Sequence, residues 1–364
     1  MLEVTDLSVR AGTFVLSQVS LKVLPSSCHV ILGPTGSGKT LLMESVIGLR
    51  NPQTGKVILE GEDITCLPME QRGLSYVPQD LALFPHMTVR QNILYPIRIR
   101  GGKQNFENGI VRELIDSLSI GNILDRSVKN LSGGERQRTA LARAVASGCN
   151  YLVLDEPLSA LHESLKTELW YLLKDLQKRY ELAILMVTHD LEEAFFLGDV
   201  ISVIIDGKLR QQGEKRDVYR YPHNEDVARF LGVGNLFHGR VDRINDDSLF
   251  VRCEELGDTL TLSTHWRKLA VKKNDDFMIG IRSEDVLVQT PGEFMSNTPN
   301  VIEGTVMEIF ETGASLQVII ACGHRPEKVK LVMHRSASTG LNIVAGQKIV
   351  IHLPKENLFL VELA

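Results

Sequence analysis

An α/β domain built on a mostly parallel sheet, followed by a smaller all-β part, is the fold class that this 364-residue chain predicts. Three observations carry it. Across the first ~230 residues, strand-length apolar runs alternate with helical stripes, the rhythm of strand–helix–strand units. After Gly232 the helical stripes stop, and short alternating segments separated by Gly, Asp and Asn turns take over. The later part also repeats itself, because Asn235-x-x-x-Gly239-x-Val241 returns 65 residues on as Asn300-x-x-x-Gly304-x-Val306.

The elements follow in order. Cys28 to Leu32 is an apolar run ending in a glycine-rich turn, and Lys39 to Leu49 then reads as a helix. Tyr151 to Leu154 reads as a buried strand. Leu165, Leu169, Leu172, Leu173 and Leu176 form one helical stripe between Glu163 and Arg179, and Ala183 to Val187 and Val200 to Ile205 are two further strand runs. In the second part Leu249 to Arg252 and Leu316 to Ile320 alternate, and Glu284-Asp285-Val286 parallels Glu356-Asn357-Leu358. Two copies of a small β-barrel unit explain the repeat, as does chance likeness between two β segments. The Pro- and Gly-bearing stretch Val288 to Pro299 is the natural linker. The expected domains are residues 1–233, then a β half at 234–290 and another at 300–364.

Composition narrows the function. Hydrophobic residues at 43% and charged residues at 23% are ordinary for a globular chain. A net charge of −5 carries no basic surplus for nucleic acid, so no nucleic-acid partner is expected. No apolar run approaches the ~20 residues that span a bilayer. The start, with Glu3 and Asp6, lacks the pattern of a signal peptide. Any work at a membrane is therefore expected from outside the lipid, beside a partner that spans it. Cys28, Cys66, Cys149, Cys253 and Cys322 are scattered and form no C-x-x-C pair, as reduced thiols would.

Gly33-Pro34-Thr35-Gly36-Ser37-Gly38-Lys39-Thr40 fits G-x-x-x-x-G-K-[ST], with a strand running in and a helix running out. Such glycines let backbone N–H groups turn inward around phosphates, and the helix N-terminus adds partial positive charge. Lys39 is expected to reach the β- and γ-phosphates of a nucleotide, and the Thr40 hydroxyl to ligate Mg²⁺. Asp155 and Glu156 end a later apolar strand, where one acid can hold the Mg²⁺ shell and the other polarise the attacking water.

Leu131-Ser132-Gly133-Gly134-Glu135 stands just before that strand and resembles the signature of ABC-type ATPases. In the same order, Gln79 in Tyr76-Val77-Pro78-Gln79 resembles the glutamine that contacts Mg²⁺ and the water, and His189 in Val187-Thr188-His189-Asp190 resembles the histidine that contacts the γ-phosphate. Phe14 resembles the aromatic residue that stacks on adenine. The resemblance implies an ABC-type P-loop nucleotide-binding domain followed by a small OB/TOBE-like, MOP-like β domain. It implies ATP and Mg²⁺ as cofactors, Glu156 as general base, and Gln79, Thr40 and Asp155 around the metal. It also implies a head-to-tail homodimer in which Ser132, Gly133 and Gly134 complete the site of a second ATPase subunit. Two departures stand out: the loop after the catalytic acid reads Ser159-Ala160-Leu161-His162 where the family has an Asp last, and Ser26-Ser27 replaces the usual Gly-Glu turn.

Leu83-Phe84-Pro85-His86-Met87-Thr88-Val89 is similar to the segment with which importers of this family meet their membrane-spanning permease subunits, with Phe84 and Met87 expected exposed unless covered. A hydrophobic loop folded onto its own domain is the plainer reading. The resemblance implies a peripheral position on the cytoplasmic face of the membrane and an extracytoplasmic solute-binding protein as an indirect partner. Ile279-Gly280-Ile281-Arg282-Ser283-Glu284-Asp285 resembles a segment of the regulatory domain of such importers. Asn300-Val301-Ile302-Glu303-Gly304, Gly313-Ala314-Ser315, Ser336-Ala337 and Gly340-Leu341 resemble a molybdate-binding module. This implies molybdate or tungstate import and an oxyanion at the C-terminal domain, although Pro299 and Pro354 stand where that module carries an Arg and a Lys. Import of sulfate, ferric ion, a polyamine or a sugar is the alternative. A non-transport ABC ATPase is a further one, disfavoured by the single cassette and the lack of heptads.

Overall fold

In a computed structural model, residues 1–99, 109–159, 161–263, 271–289, 298–323, 327–335 and 343–363 are described. They form two compact units, Met1–Val218 and Tyr219–Ala364. Ala160, most of the 288–299 linker, and Ser336-Ala337 and Gly340-Leu341 lie outside the described residues.

The first unit runs β1 Leu2–Ala11, β2 Phe14–Val23, β3 Cys28–Leu32, α1 Lys39–Ile47, β4 Thr54–Leu59, β5 Glu62–Asp63, β6 Leu74–Val77, α2 Val89–Ile99 and α3 Ile110–Ser117. It continues with α4 Gly133–Ala146, β7 Tyr151–Asp155, α5 Glu163–Arg179, β8 Ala183–Thr188, α6 Leu191–Leu197, β9 Val200–Ile205 and β10 Lys208–Glu214, and α7 Lys215–Arg220 crosses into the second unit. One sheet in the order β5-β4-β1-β2-β10-β9-β3-β8-β7-β6 runs through it. The strands β9, β3, β8, β7 and β6 are parallel. Every residue of β3, β7 and β8 is buried, as strands covered on both faces require. The antiparallel wing of β1, β2, β4 and β5 was not in the sequence expectation. Its strands alternate buried and exposed residues, a half-buried pattern that apolar runs alone do not flag.

On α5 the expected stripe buries Leu169, Leu173 and Leu176, while Leu165 is 36% exposed. Arg72 is 1% exposed and closes the far end of α1. Its guanidinium donates to the carbonyls of Ser45 (2.7 Å), Val46 (2.8 Å), Thr65 (2.5 Å) and Leu67 (2.8 Å).

The second unit carries α8 Glu225–Phe230, β11 Asn235–Ile244, β12 Ser248–Cys253, β13 Asp258–Ser263, β14 Asp276–Ile281, β15 Leu287–Gln289, β16 Val301–Thr312, β17 Ser315–Cys322, β18 Glu327–His334, β19 Lys348–His352 and β20 Phe359–Val361. The sequence boundary after Val233 falls later than the structural one, because Ala228 and Val233 pack with Met278, Phe359 and Val361.

The two five-stranded sheets have matching orders, β13-β12-β11-β14-β20 and β18-β17-β16-β19-β15. Each half lends its last strand to the other: β15 pairs with β19, and β20 with β14. The repeated asparagines make further bonds at the edges of the sheets. Asn235 donates to the Lys330 carbonyl (2.8 Å) and accepts from the Lys330 N–H (2.7 Å). Asn300 does the same with Thr261 (2.7 and 2.6 Å) and also donates to the Leu353 carbonyl (3.0 Å). One buried core that includes Val241, Val251, Ile279, Val306, Ile320 and Ile351 spans both halves, so they are interlocked rather than serial.

Candidate functional site

Sheet order explains why distant residues meet. The C-terminal ends of β3, β8, β7 and β6 are neighbours, and their registers end level, with Leu32 opposite Thr188, Asp155 opposite Val187 and Val77 opposite Leu154. Ligands of parallel α/β sheets bind outside these ends. The loop 33–38 follows β3, His189 follows β8, Glu156 follows β7, and Gln79 follows β6 by two residues.

The loop leads into α1 through Gly36 and Gly38, at φ +82° and +103°. A Cβ at Gly38 would lie 2.9 Å from the Phe14 ring, and one at Gly33 would collide with the Ile204 carbonyl. Open space surrounds Gly36, where a Cβ would meet nothing within 4 Å. Lys39 is 5% exposed and donates to the carbonyls of Gly33 (2.8 Å) and Pro34 (2.9 Å). Burial lowers its pKa, opposed by the nearby Glu156 and Asp155 carboxylates. Ser37 Oγ is buried without a hydrogen-bond partner among the described residues, and Thr35 and Thr40 are exposed. An anion cradle with an orphaned hydroxyl, a buried lysine and a left-handed glycine turn fits a phosphate chain.

Asp155 is 6% exposed, and burial followed by the Glu156 charge raises its pKa. The Tyr76 hydroxyl approaches its Oδ2 at 3.5 Å. Glu156 adopts φ +43°, a left-handed conformation that costs a non-glycine residue about 1–3 kcal/mol and clusters at functional sites. Its two oxygens are engaged separately, Oε2 by Gln79 Nε2 (3.4 Å) and Oε1 by His189 Nδ1 (3.2 Å). Gln79 also reaches Ser159 Oγ at 3.5 Å, and that hydroxyl donates to the Glu156 carbonyl (3.1 Å). Tyr76 and Ser159 are members of the site that sequence reasoning did not single out; strand order brings Tyr76 to Asp155, while Ser159 follows Glu156 by three residues in the same turn.

Behind His189, Asp190 caps α6 by accepting from Glu193 N (3.2 Å) and pairs with Lys166 (2.8 Å). Glu193 is 3% exposed and accepts from the Thr188 hydroxyl, and burial pushes its pKa up to about 7.

Ser132, Gly133 and Gly134 sit apart from this group. Ser132 is exposed and forms a reciprocal capping box with Glu135 at the start of α4, accepting at 3.3 Å and donating at 2.7 Å. Among the described residues, none of its hydrogen bonds reaches the phosphate loop. His162, in the usual Asp position, occupies the N-cap of α5 without a side-chain cap bond. Phe14 is half-buried against Gly38 and Gly207. Phe84 and Met87 are half-buried rather than open, and the Phe84 ring lies 4.3 Å from that of Tyr95.

Among the described residues, no group of three or more His, Cys, Asp or Glu could hold a metal. Mg²⁺ in phosphate sites needs few protein ligands, one or two carboxylates beside substrate oxygens and waters, so Asp155, Thr40 and Gln79 fit it. No described helix is long and apolar enough to cross a membrane.

Comparison with known proteins agrees with this geometry. The family model described as ABC transporter matches residues 16–159. The molybdate/tungstate import ATP-binding protein WtpC of Pyrococcus horikoshii is 37% identical over 327 residues, covering 89% of each chain. The chain belongs to the ABC transporter ATP-binding proteins. The spermidine/putrescine import ATP-binding protein PotA of Nitrosomonas europaea is 31% identical over 359 residues, covering 98% of each chain. An ATP-binding cassette solved as a post-hydrolysis dimer bound to ADP and Pi matches with a TM-score of 0.53 and 26% identity, over 59% of this chain and 99% of that one. The first unit is thus an α/β P-loop ABC ATPase domain and the second a small all-β domain of TOBE/OB type. The activity of this ABC protein is ATP hydrolysis coupled to transport, with ATP and Mg²⁺ as the family's cofactors.

Proposed function

We propose that the chain energises import of molybdate or tungstate by hydrolysing ATP at Gln79, Glu156 and His189. The convergence of Gln79 and His189 on the Glu156 carboxylate supports the hydrolytic part of this reading. Glu156, oriented at both oxygens, is the general base that takes a proton from the attacking water. Gln79 aligns that water, and His189 binds the γ-phosphate. The loop N–H groups of residues 33–38 and the Ser37 hydroxyl bind phosphate oxygens, and Lys39 turns from its carbonyl partners to the β- and γ-phosphates. Thr40, Asp155 and Gln79 hold Mg²⁺, which when bound neutralises charge on those oxygens. Phe14 contacts the adenine.

A second copy completes the site. The exposed Ser132, with Gly133, Gly134 and the positive end of α4, faces the nucleotide of the partner subunit. Closure and reopening of this homodimer drive the membrane-spanning permease subunits through the segment around Phe84, at the cytoplasmic face, with an extracytoplasmic solute-binding protein delivering the solute.

For the solute, the identity to WtpC, which reaches 41% over 276 residues in the protein of Methanocaldococcus jannaschii, favours the oxyanions. The full-length match to PotA keeps polyamine import as the second reading. In the second unit, the Asn300 amide is fully engaged by main-chain groups, so it has no free donor for an oxyanion. Two experiments test the proposal. Glu156→Gln is expected to leave ATP binding intact while steady-state hydrolysis falls at least ~100-fold, and normal turnover would remove Glu156 as the base. Deleting the chain is expected to abolish uptake of labelled molybdate and tungstate but not spermidine; the reverse pattern would assign it to polyamines.

A further inference from the structure

Leu81 and Ala82, just past Gln79, both adopt left-handed backbone, at φ +64° and +40°. Two successive non-glycine residues in this region are strained, and such a turn persists only where its surroundings fix it. Local bonds supply part of the hold: Leu81 N donates to the Pro78 carbonyl (2.9 Å), and Ala82 N to Asp80 Oδ1 (3.1 Å). The rest comes from the last turn of α4. Arg143 spans the two strained residues with a fork, Nη2 donating to the Leu81 carbonyl (2.8 Å) and Nη1 to the Ala82 carbonyl (2.7 Å). Its guanidinium also lies 5.3 Å from the centre of the Phe84 ring. Phe84 is pinned in turn by Asn92, which is fully buried, accepts from Phe84 N (2.9 Å) and donates to the Phe84 carbonyl (3.3 Å).

We infer that Arg143 is a positioning residue for hydrolysis, holding the strained turn at Leu81 and Ala82 so that Gln79 meets Glu156. The inference rests on the catalytic reading of Gln79 and Glu156 given above. A planar fork suits the task because it grips two carbonyls of fixed spacing at once, which the point charge of a lysine does not. Since α4 opens at Ser132 and ends at this fork, the signature serine and the Gln79 loop sit at two ends of one rigid helix.

The test measures kcat, KM and nucleotide-binding stoichiometry on the whole chain. Arg143→Met keeps the stem and loses the fork. Misplacing a catalytic group by about an ångström costs up to 100-fold in rate, so kcat per bound nucleotide is expected to fall roughly 10- to 100-fold with KM little changed. Arg143→Lys retains the charge and is expected to fall likewise, giving a readout if the Met variant does not accumulate. Glycine accepts the left-handed turn without strain, so adding Leu81→Gly and Ala82→Gly to either variant is expected to recover at least ~3-fold of the loss. A role in stability alone would lower the melting temperature and the fraction of chain that binds nucleotide, and would leave kcat per bound nucleotide unchanged. Unchanged kcat per bound nucleotide in both variants, or a loss the glycines do not relieve, would overturn the inference. Failure of the base assignment is separable, since it shows as normal hydrolysis by Glu156→Gln.

Discussion

Arg72→Met tests how far one buried guanidinium supports the helix that carries the phosphate loop. Arg72 lacks any carboxylate within ion-pair distance among the described residues and donates four hydrogen bonds to main-chain carbonyls, two at the C-terminal end of α1. Its burial lowers its own pKa, a measure of the desolvation it bears. Removing it orphans four carbonyls at about 1–3 kcal/mol each, while the variant is spared a desolvation cost of several kcal/mol. The net loss is about 2–4 kcal/mol, because methionine fills the stem but leaves no donor. For a unit of this size, 1 kcal/mol corresponds to about 2–4 °C, so the melting temperature of the first unit should fall by about 5–15 °C. Arg50→Met is the control on the same helix end: the Arg50–Glu44 pair (2.9 Å) is 41% and 32% exposed, and its loss should cost at most about 1 kcal/mol. Differential scanning calorimetry of both variants decides the matter. Equal melting temperatures would refute the claim that Arg72 caps α1 energetically.

Lys39→Ala should lose most nucleotide affinity while the chain stays folded; unchanged binding of a fluorescent ATP analogue would undo the phosphate-loop assignment. Glu193 has its pKa raised from 4.5 to about 7, so its stabilising contribution is complete below about pH 4.5 and is lost as pH rises through about 7. Glu193→Gln should therefore match the parent near pH 5 and exceed it at pH 8 by up to about 3 kcal/mol, and equal denaturation midpoints at both pH values would contradict this. In the second unit, Asn300→Ala should destabilise more than Asn235→Ala, because Asn300 makes three side-chain bonds against two and sits at φ +59°. The opposite order in urea midpoints would refute bond number and backbone strain as what sets the cost.

Much of this protein was local and so legible. The glycine spacing from Gly33 to Gly38, the strand before it and the helix after it announced a phosphate cradle, since backbone freedom at glycine and a helix N-terminus are short-range properties. The acidic strand end at Asp155 was equally local, and the repeated asparagines marked two related β halves. Long-range order was not legible. That β8 lies between β3 and β7, bringing His189 to Glu156 and Gln79, depends on crossovers and on burial of both sheet faces, which no window of sequence contains. The exchange of β15 and β20, the bonds of Asn235 to Lys330 and of Asn300 to Thr261, and the fork of Arg143 on a turn some sixty residues earlier, arise only in the packed chain. Sequence alone named the candidate groups of the phosphate site; tertiary structure decided which of them touch, because strand neighbours are chosen by burial across the whole sheet rather than by adjacency along the chain.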